Sequence, residues 1–166
     1  MMRILFICKS NTFRSVVAEY LLRDYQNKHP ESKIEKVGSA GITVTDEEDI
    51  SPALVNKLKE LDITVDNHQK MQVSREHLKE YDFIIAMAEH QKIFMKDLFY
   101  KDIPLFNEVA FNKNTSIFDV DDIFFNPKER PKEAEEHIQK TVDYIKEAMP
   151  SFVAHIELFR NYRSVQ

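Results

Sequence analysis

Cys8 and Arg14 stand with five residues between them, Lys9-Ser10-Asn11-Thr12-Phe13, and Ser15 follows the arginine. A thiol and a guanidinium at this spacing suit nucleophilic attack on a bound oxyanion. The thiolate is the attacking form. A planar guanidinium grips two oxygens of a phosphate-like group and stabilises charge in the transition state. A five-residue loop between a strand and a helix turns its N–H groups inward as an anion nest, and the helix N-terminus adds positive partial charge. The same field favours the thiolate form of Cys8. Asn11 tolerates a left-handed backbone better than most residues, and Ser15 can hydrogen-bond the thiolate or the loop. Spacing alone does not decide the matter, because a buried structural cysteine and a solvated helix arginine fit it as well.

The elements around the pair sharpen the reading. Arg3 to Ile7 is a short apolar run that reads as a buried parallel strand ending at Cys8. From Arg14, the apolar residues Val16, Val17, Tyr20, Leu21 and Tyr25 recur near helical spacing. Lys33 to Ser39 predicts a second strand, and Gly41 opens a loop carrying the acidic run Asp46 to Asp49. Ser51 caps a helix with Pro52 at its first position, and Ser74 caps a shorter one. Asp82 to Met87 predicts a third strand, Glu89 to Phe99 a helix, and Ile103 to Phe106 a short fourth strand. Asn107 to Pro127 is long, aromatic and irregular, as functional or mobile loops are. Pro131 starts a last helix with Ile138, Val142, Ile145 and Met149 on its apolar face, and 151–166 extends it beyond Pro150.

Alternating strands and helices imply a parallel sheet covered on both faces. Ligands bind at the carboxyl ends of such strands. Cys8 lies at one such end and the irregular loop at another, so both point to one crevice.

Composition narrows the function classes. The 166 residues fit one domain, 43% hydrophobic and 31% charged. A net charge of −5 argues against a nucleic-acid partner. No apolar run approaches the about 20 residues of a membrane span, and the opening octapeptide lacks the features of a secretory leader. The single cysteine forms no internal disulfide and no cysteine metal cluster, which suits the cytosol.

The stretch I-L-F-I-C-K-S-N-T-F-R-S-V-V-A-E resembles the signature of the low-molecular-weight tyrosine phosphatases, a strand followed by C-x-G-N-x-C-R-S-P-x-A-E. Cys8, Asn11, Arg14, Ser15, Ala18 and Glu19 match it. Val37 to Gly41 resembles the family's S-A-G segment, His68 its histidine after the second helix, and Asp82 to Met87 its D-Y-I-I-A-M strand. The resemblance runs from about residue 2 to 150. It implies a single domain over 1–166, with 151–166 as a C-terminal extension. The fold class expected is α/β, a three-layer sandwich with a four-stranded parallel sheet (order 2-1-3-4) and helices on both faces.

The resemblance further implies metal-free, cofactor-free hydrolysis of phosphotyrosine in proteins, or of small aryl phosphates, through a phosphocysteine on Cys8. Phosphate-like oxyanions would inhibit, and the protein would be a cytoplasmic monomer or weak dimer. Lys9, Ser10, Asn11, Thr12, Phe13 and Ser15 would form the phosphate loop, with Ser15, Ser39 and His68 holding Asn11 in place. The general acid aligns with Asp122, followed by Ile123 where proline is usual and Phe124 where tyrosine is usual. Asp121 and Asp119 are rivals for that role. Thr12, Phe124 and Phe125 would line the substrate slot.

The departures matter. Ser10 replaces a loop glycine and strains the loop if that position needs positive φ. Phe13 replaces the second cysteine, the usual disulfide partner of the nucleophile. Phe124 and Phe125 lack the hydroxyls of the usual wall tyrosines. Thr12 and a phenylalanine after the acid also occur in protein-arginine phosphatases of the same fold, which is the nearest alternative substrate class. A catalytically weak phosphate-binding module is a different class, and an arsenate reductase working by internal thiol exchange would need further cysteines.

Overall fold

A computed structural model describes residues 1–160. Strand β1 (Met2–Cys8) is the centre of the molecule. Ile4, Leu5, Phe6 and Ile7 are completely buried, because alternate residues enter two different cores. Ile4, Phe6 and Cys8 face the larger, Leu5 and Ile7 the smaller. A strand buried on both faces reads as a continuous apolar run.

Helix α1 (Arg14–Lys28) follows directly after the loop, and strand β2 (Ile34–Gly41) returns beside β1 in parallel register, Cys8 opposite Gly41. Helix α2 (Pro52–Lys59) starts where Ser51 Oγ accepts from Leu54 N at 3.2 Å. Helix α3 (Arg75–Leu78) starts where Ser74 Oγ accepts from His77 N at 3.1 Å. Strand β3 (Phe83–Ala86) pairs in parallel with the other side of β1, and helix α4 (Glu89–Phe99) follows it. Then come α5 (Phe106–Phe111), α6 (Val120–Ile123) and α7 (Pro131–His155). Helices α1, α2, α5 and α7 supply the larger core, while Leu78 of α3 and Met95 of α4 enter the smaller. The layers are therefore helix, sheet, helix.

The sheet has three strands in the order β2-β1-β3, not four. The expected fourth strand at Ile103–Phe106 is a single parallel bridge, Ala86 to Leu105, with Ala86 N donating to Pro104 O at 2.9 Å. Pro104 has no N–H to continue a ladder. Glu108 also reaches back to accept from Leu105 N, which starts α5 at Phe106. The run is buried, as a strand would be, but it turns into a helix after one bridge.

Within the stretch expected to be irregular, α5 and α6 are helical. Helix α7 runs through Pro150 to His155, and a 3₁₀ turn covers Ile156–Phe159. Pro150 faces solvent, while Phe152 and Ile156 are fully buried. Phe152 stacks on Phe106 with ring centroids 5.0 Å apart, and this packing carries the chain past the proline. The last six positions of the expected extension over 151–166 lie outside the described residues.

Candidate active site

Cys8 ends β1 and is 2% exposed. Its Sγ lies 2.9 Å from Ser15 Oγ, at the start of α1. Between them, Asn11 holds the loop from inside. It is fully buried with φ 58°, a left-handed conformation that asparagine tolerates better than most residues. Its Nδ2 donates to Ser15 Oγ (3.0 Å) and Ser39 Oγ (2.7 Å). Its Oδ1 accepts from Met71 N (2.9 Å) and faces His68 Nε2 (3.3 Å). Ser10 has no positive φ, so the strain a serine would bring at such a position does not arise. Its hydroxyl instead lies 2.9 Å from that of Thr12.

The loop has little room beneath it. Gly41, opposite Cys8, lies so close that a Cβ there would come within 2.7 Å of Lys9 O and 2.9 Å of Asn11 N. This is why one of the chain's two glycines sits at the end of β2. Around it, Ile42 N and Thr43 N donate to Cys8 O and Lys9 O. Lys9 itself is exposed.

Arg14 is 0% exposed. Its Nη1 donates to Ile117 O at 3.0 Å and its Nη2 to Asp119 Oδ2 at 3.1 Å. Its Nε is buried and has no hydrogen-bond partner among the described residues. A buried guanidinium donor left unpaired is costly, and an oxyanion oxygen would satisfy it.

Asp119 caps α6, and Asp122 Oδ2 accepts from Asp119 N at 2.8 Å, 3.8 Å from Arg14 Nη1. Asp119 thus pairs more closely with Arg14 than Asp122 does, while Asp122 is the more open to solvent. Asp121 is exposed. Of the expected slot residues, Thr12 is buried and Phe124 half-buried, while Phe125 projects fully into solvent. Phe13 is buried, its ring edge-on to His137 at 6.1 Å. In the acidic run, Asp49 pairs with Lys70 at 3.2 Å, and Lys70 also donates to Thr45 O at 2.7 Å.

Two participants were not predicted as site residues. Glu19, 4% exposed, accepts a hydrogen bond from Ser39 Oγ and forms an ion pair with Arg23. This prolongs the polar chain from Cys8 through Ser15, Asn11 and Ser39. Burial raises its carboxyl above the usual range, against the Ser39 hydrogen bond and the Arg23 charge. His90, at the start of α4, faces Arg14, Asp122, Lys9 and Asp119; desolvation, then the Arg14 charge, holds its imidazole below the usual range. The Glu19 signal was present in the A-E of the loop signature. His90 carried none, because only tertiary folding brings α4 to the loop.

Among the described residues, no group of three His, Cys, Asp or Glu side chains is placed to hold a metal ion, and no helix is long and apolar enough to cross a membrane.

Comparison with known proteins gives a consistent pattern. A family model described as low molecular weight phosphotyrosine protein phosphatase matches residues 3–161. The low molecular weight protein-tyrosine-phosphatase Wzb of Escherichia coli K12 is 34% identical over 86 residues, 52% of this chain and 54% of that protein. The match spans about half the length of that relative. Among solved structures, a YwlE mutant from Bacillus subtilis superposes with a TM-score of 0.78 at 21% identity, covering 95% of this chain and 99% of that one. The YwlE arginine phosphatase from Geobacillus stearothermophilus superposes with a TM-score of 0.76 at 24% identity, covering 95% and 94%. At these identities the two structures show a shared fold.

Proposed function

The chain belongs to the low molecular weight phosphotyrosine protein phosphatase family, and from that premise we propose that it hydrolyses phosphotyrosine in proteins through a phosphocysteine on Cys8. The observation that carries the proposal is the Arg14 guanidinium. It is wholly buried, its two Nη groups are held by Ile117 and Asp119, and its Nε has no hydrogen-bond partner among the described residues, beside a cysteine-bearing loop.

The reaction runs in two steps. Cys8 thiolate attacks phosphorus, so an S–P bond forms as the P–O bond to the leaving group breaks. Arg14 and loop N–H groups bind the equatorial oxygens, and Asp122 gives its proton to the departing phenolic oxygen. Water then gives a proton to Asp122 and attacks phosphorus. The S–P bond breaks, releasing inorganic phosphate and restoring the thiolate. Ser15 hydrogen-bonds sulfur in the thiolate state, and Asn11, Ser39 and His68 hold the loop. Inorganic phosphate and similar oxyanions compete for the same cradle. A single cysteine that forms no internal disulfide fits a reducing compartment such as the cytosol.

Phosphoarginine is the second reading. Thr12 supports it, a buried hydroxyl within the loop, 2.9 Å from Ser10 Oγ. There the leaving atom is a guanidine nitrogen, again protonated by Asp122.

The decisive experiment is hydrolysis of p-nitrophenyl phosphate with EDTA present, wild type beside Cys8→Ser. Phosphate release by the wild type alone is expected. No release by a folded wild type would replace the enzyme with a phosphate-binding module. Relative kcat/KM on phosphotyrosine and phosphoarginine peptides then separates the two substrate classes.

A further inference from the structure

The segment Ser116–Asp122 brings Asp119 and Asp122 to Arg14, yet little of it is packed. Phe118 is 53% exposed, and α6 has no buried residue. Val120 packs partly buried against the larger core, but a four-residue helix with one such contact is too short to fix its own course. Ile117 is buried in the same core, and separate hydrogen bonds complete the hold on the segment. Glu89 N donates to Ser116 Oγ at 2.9 Å and Ile117 N to Met87 O at 2.8 Å. Arg14 Nη1 donates to Ile117 O. The next carbonyl, that of Phe118, lies 2.9 Å from His137 Nε2.

His137 belongs to α7, far from the loop signature in sequence. A carbonyl only accepts, so Nε2 carries a proton, and it does so in the neutral tautomer and in the cation alike. The bond therefore survives either state of the ring. The same ring meets Phe13 edge-on, with centroids 6.1 Å apart and planes at 73°. One α7 side chain thus touches the phosphate loop and also the peptide that leads into Asp119.

We infer that His137 is a positioning residue, which fixes the Phe118–Asp119 peptide and so holds Asp122 over the phosphate loop. The hydrogen bond acts on the acid one link removed: Phe118 O is held by His137, the N–H of the same peptide, on Asp119, donates to the Asp122 carboxylate, and Asp122 stands 3.8 Å from Arg14. The inference rests on the phosphatase reading and deepens it.

Two variants test it. His137→Ala removes the donor, and His137→Gln keeps an amide N–H at similar reach. Each is assayed for kcat/KM on phenyl phosphate, a poor leaving group, and on p-nitrophenyl phosphate, a good one. Inhibition by vanadate reports the phosphate loop together with Arg14, which Ile117 and Asp119 hold, and amide hydrogen exchange over 116–123 reports the segment. For His137→Ala we expect a loss of about tenfold on phenyl phosphate and at most about threefold on p-nitrophenyl phosphate. Vanadate inhibition weakens less than turnover of phenyl phosphate does, exchange over 116–123 quickens, and His137→Gln recovers most of the loss. Equal losses on both esters, with vanadate inhibition weakened to the same degree, would move the role to Phe13 and overturn the inference. So would unchanged kinetics with unchanged exchange. If the wild type hydrolyses neither ester, the phosphatase reading fails, and hydrogen exchange still decides whether His137 holds the segment.

Discussion

Ser15 Oγ lies 2.9 Å from Cys8 Sγ while accepting the Asn11 amide at 3.0 Å. An amide nitrogen only donates, so Ser15 meets Asn11 with a lone pair and keeps its own hydrogen for the sulfur. A hydroxyl that donates to sulfur favours the thiolate. For Ser15→Ala we expect roughly tenfold slower turnover and slower alkylation of Cys8 by iodoacetate at pH 6, with the fold intact by circular dichroism. Alkylation at the wild-type rate would remove this role from Ser15.

Asn11 combines two properties, a left-handed backbone and a fully engaged amide. Alanine loses both. About 1–2 kcal/mol is the cost of left-handed backbone for an ordinary residue, and the buried partners left unpaired add about 1–3 kcal/mol. Asn11→Gly relieves only the backbone part. Thermal unfolding should therefore rank wild type above Asn11→Gly above Asn11→Ala, with phosphate affinity reduced in both variants. Glycine and alanine melting together would show that backbone conformation contributes nothing measurable.

The three aspartates of the acid segment should separate cleanly. Asp122→Ala is expected to lose about 100-fold or more in kcat/KM on phenyl phosphate and less on p-nitrophenyl phosphate. Asp119→Ala unties Arg14 Nη2, so its first effect is weaker vanadate inhibition. Asp121→Ala, exposed, should change little. Near-normal turnover of phenyl phosphate by Asp122→Ala would transfer the acid role to a neighbour.

Burial pushes the imidazoles of His68, His77 and His90 below the usual 6.5, with the Arg14 charge adding to the effect at His90. A histidine whose pKa is lower folded than unfolded contributes stability that is complete above pH 6.5 and is lost as the pH falls through the folded value. Glu19 runs the other way: its raised carboxyl favours the folded state at low pH, and that contribution is lost as the pH rises through its folded value. With three histidines against one glutamate, the melting temperature should fall as the pH drops below 6.5. Ring-proton NMR titrations of His68 and His90 should show midpoints under 6.5. Midpoints above it would mean that partner charge, not burial, governs these rings.

Cys8 is the chain's single cysteine, and Phe13 occupies the loop position where the family signature has a second. A sulfenic acid on Cys8 has no internal thiol to trap it as a disulfide, so further oxidation is open to it. Brief peroxide treatment should leave activity that dithiothreitol restores only in part, with sulfinic acid on Cys8 by mass spectrometry. Complete and lasting recovery by thiol would count against this.

Much of the architecture was written locally. The apolar run into Cys8, the Ser51-Pro52 and Ser74 caps, and the spacing of Val142, Ile145 and Met149 depend on neighbours a few residues away. The candidate loop from Cys8 to Ser15 was legible for the same reason, as it lies within eight consecutive residues between a strand and a helix. The fourth strand misled because Ile103–Phe106 has strand-like burial. Pro104 and the Glu108 cap decided its form.

The sequence by itself determined that Cys8 and Arg14 share one loop between a strand and a helix, because covalent spacing and local propensity suffice for that. Only the tertiary structure decided what that loop meets. Arg14 finds Ile117 and Asp119 more than a hundred residues onward, Asn11 finds Met71 and Ser39, and Phe13 and Phe118 converge on His137. Those partners come together because burying both faces of β1 fixes where α4, α7 and the segment before α6 lie, and no local pattern encodes such long-range geometry.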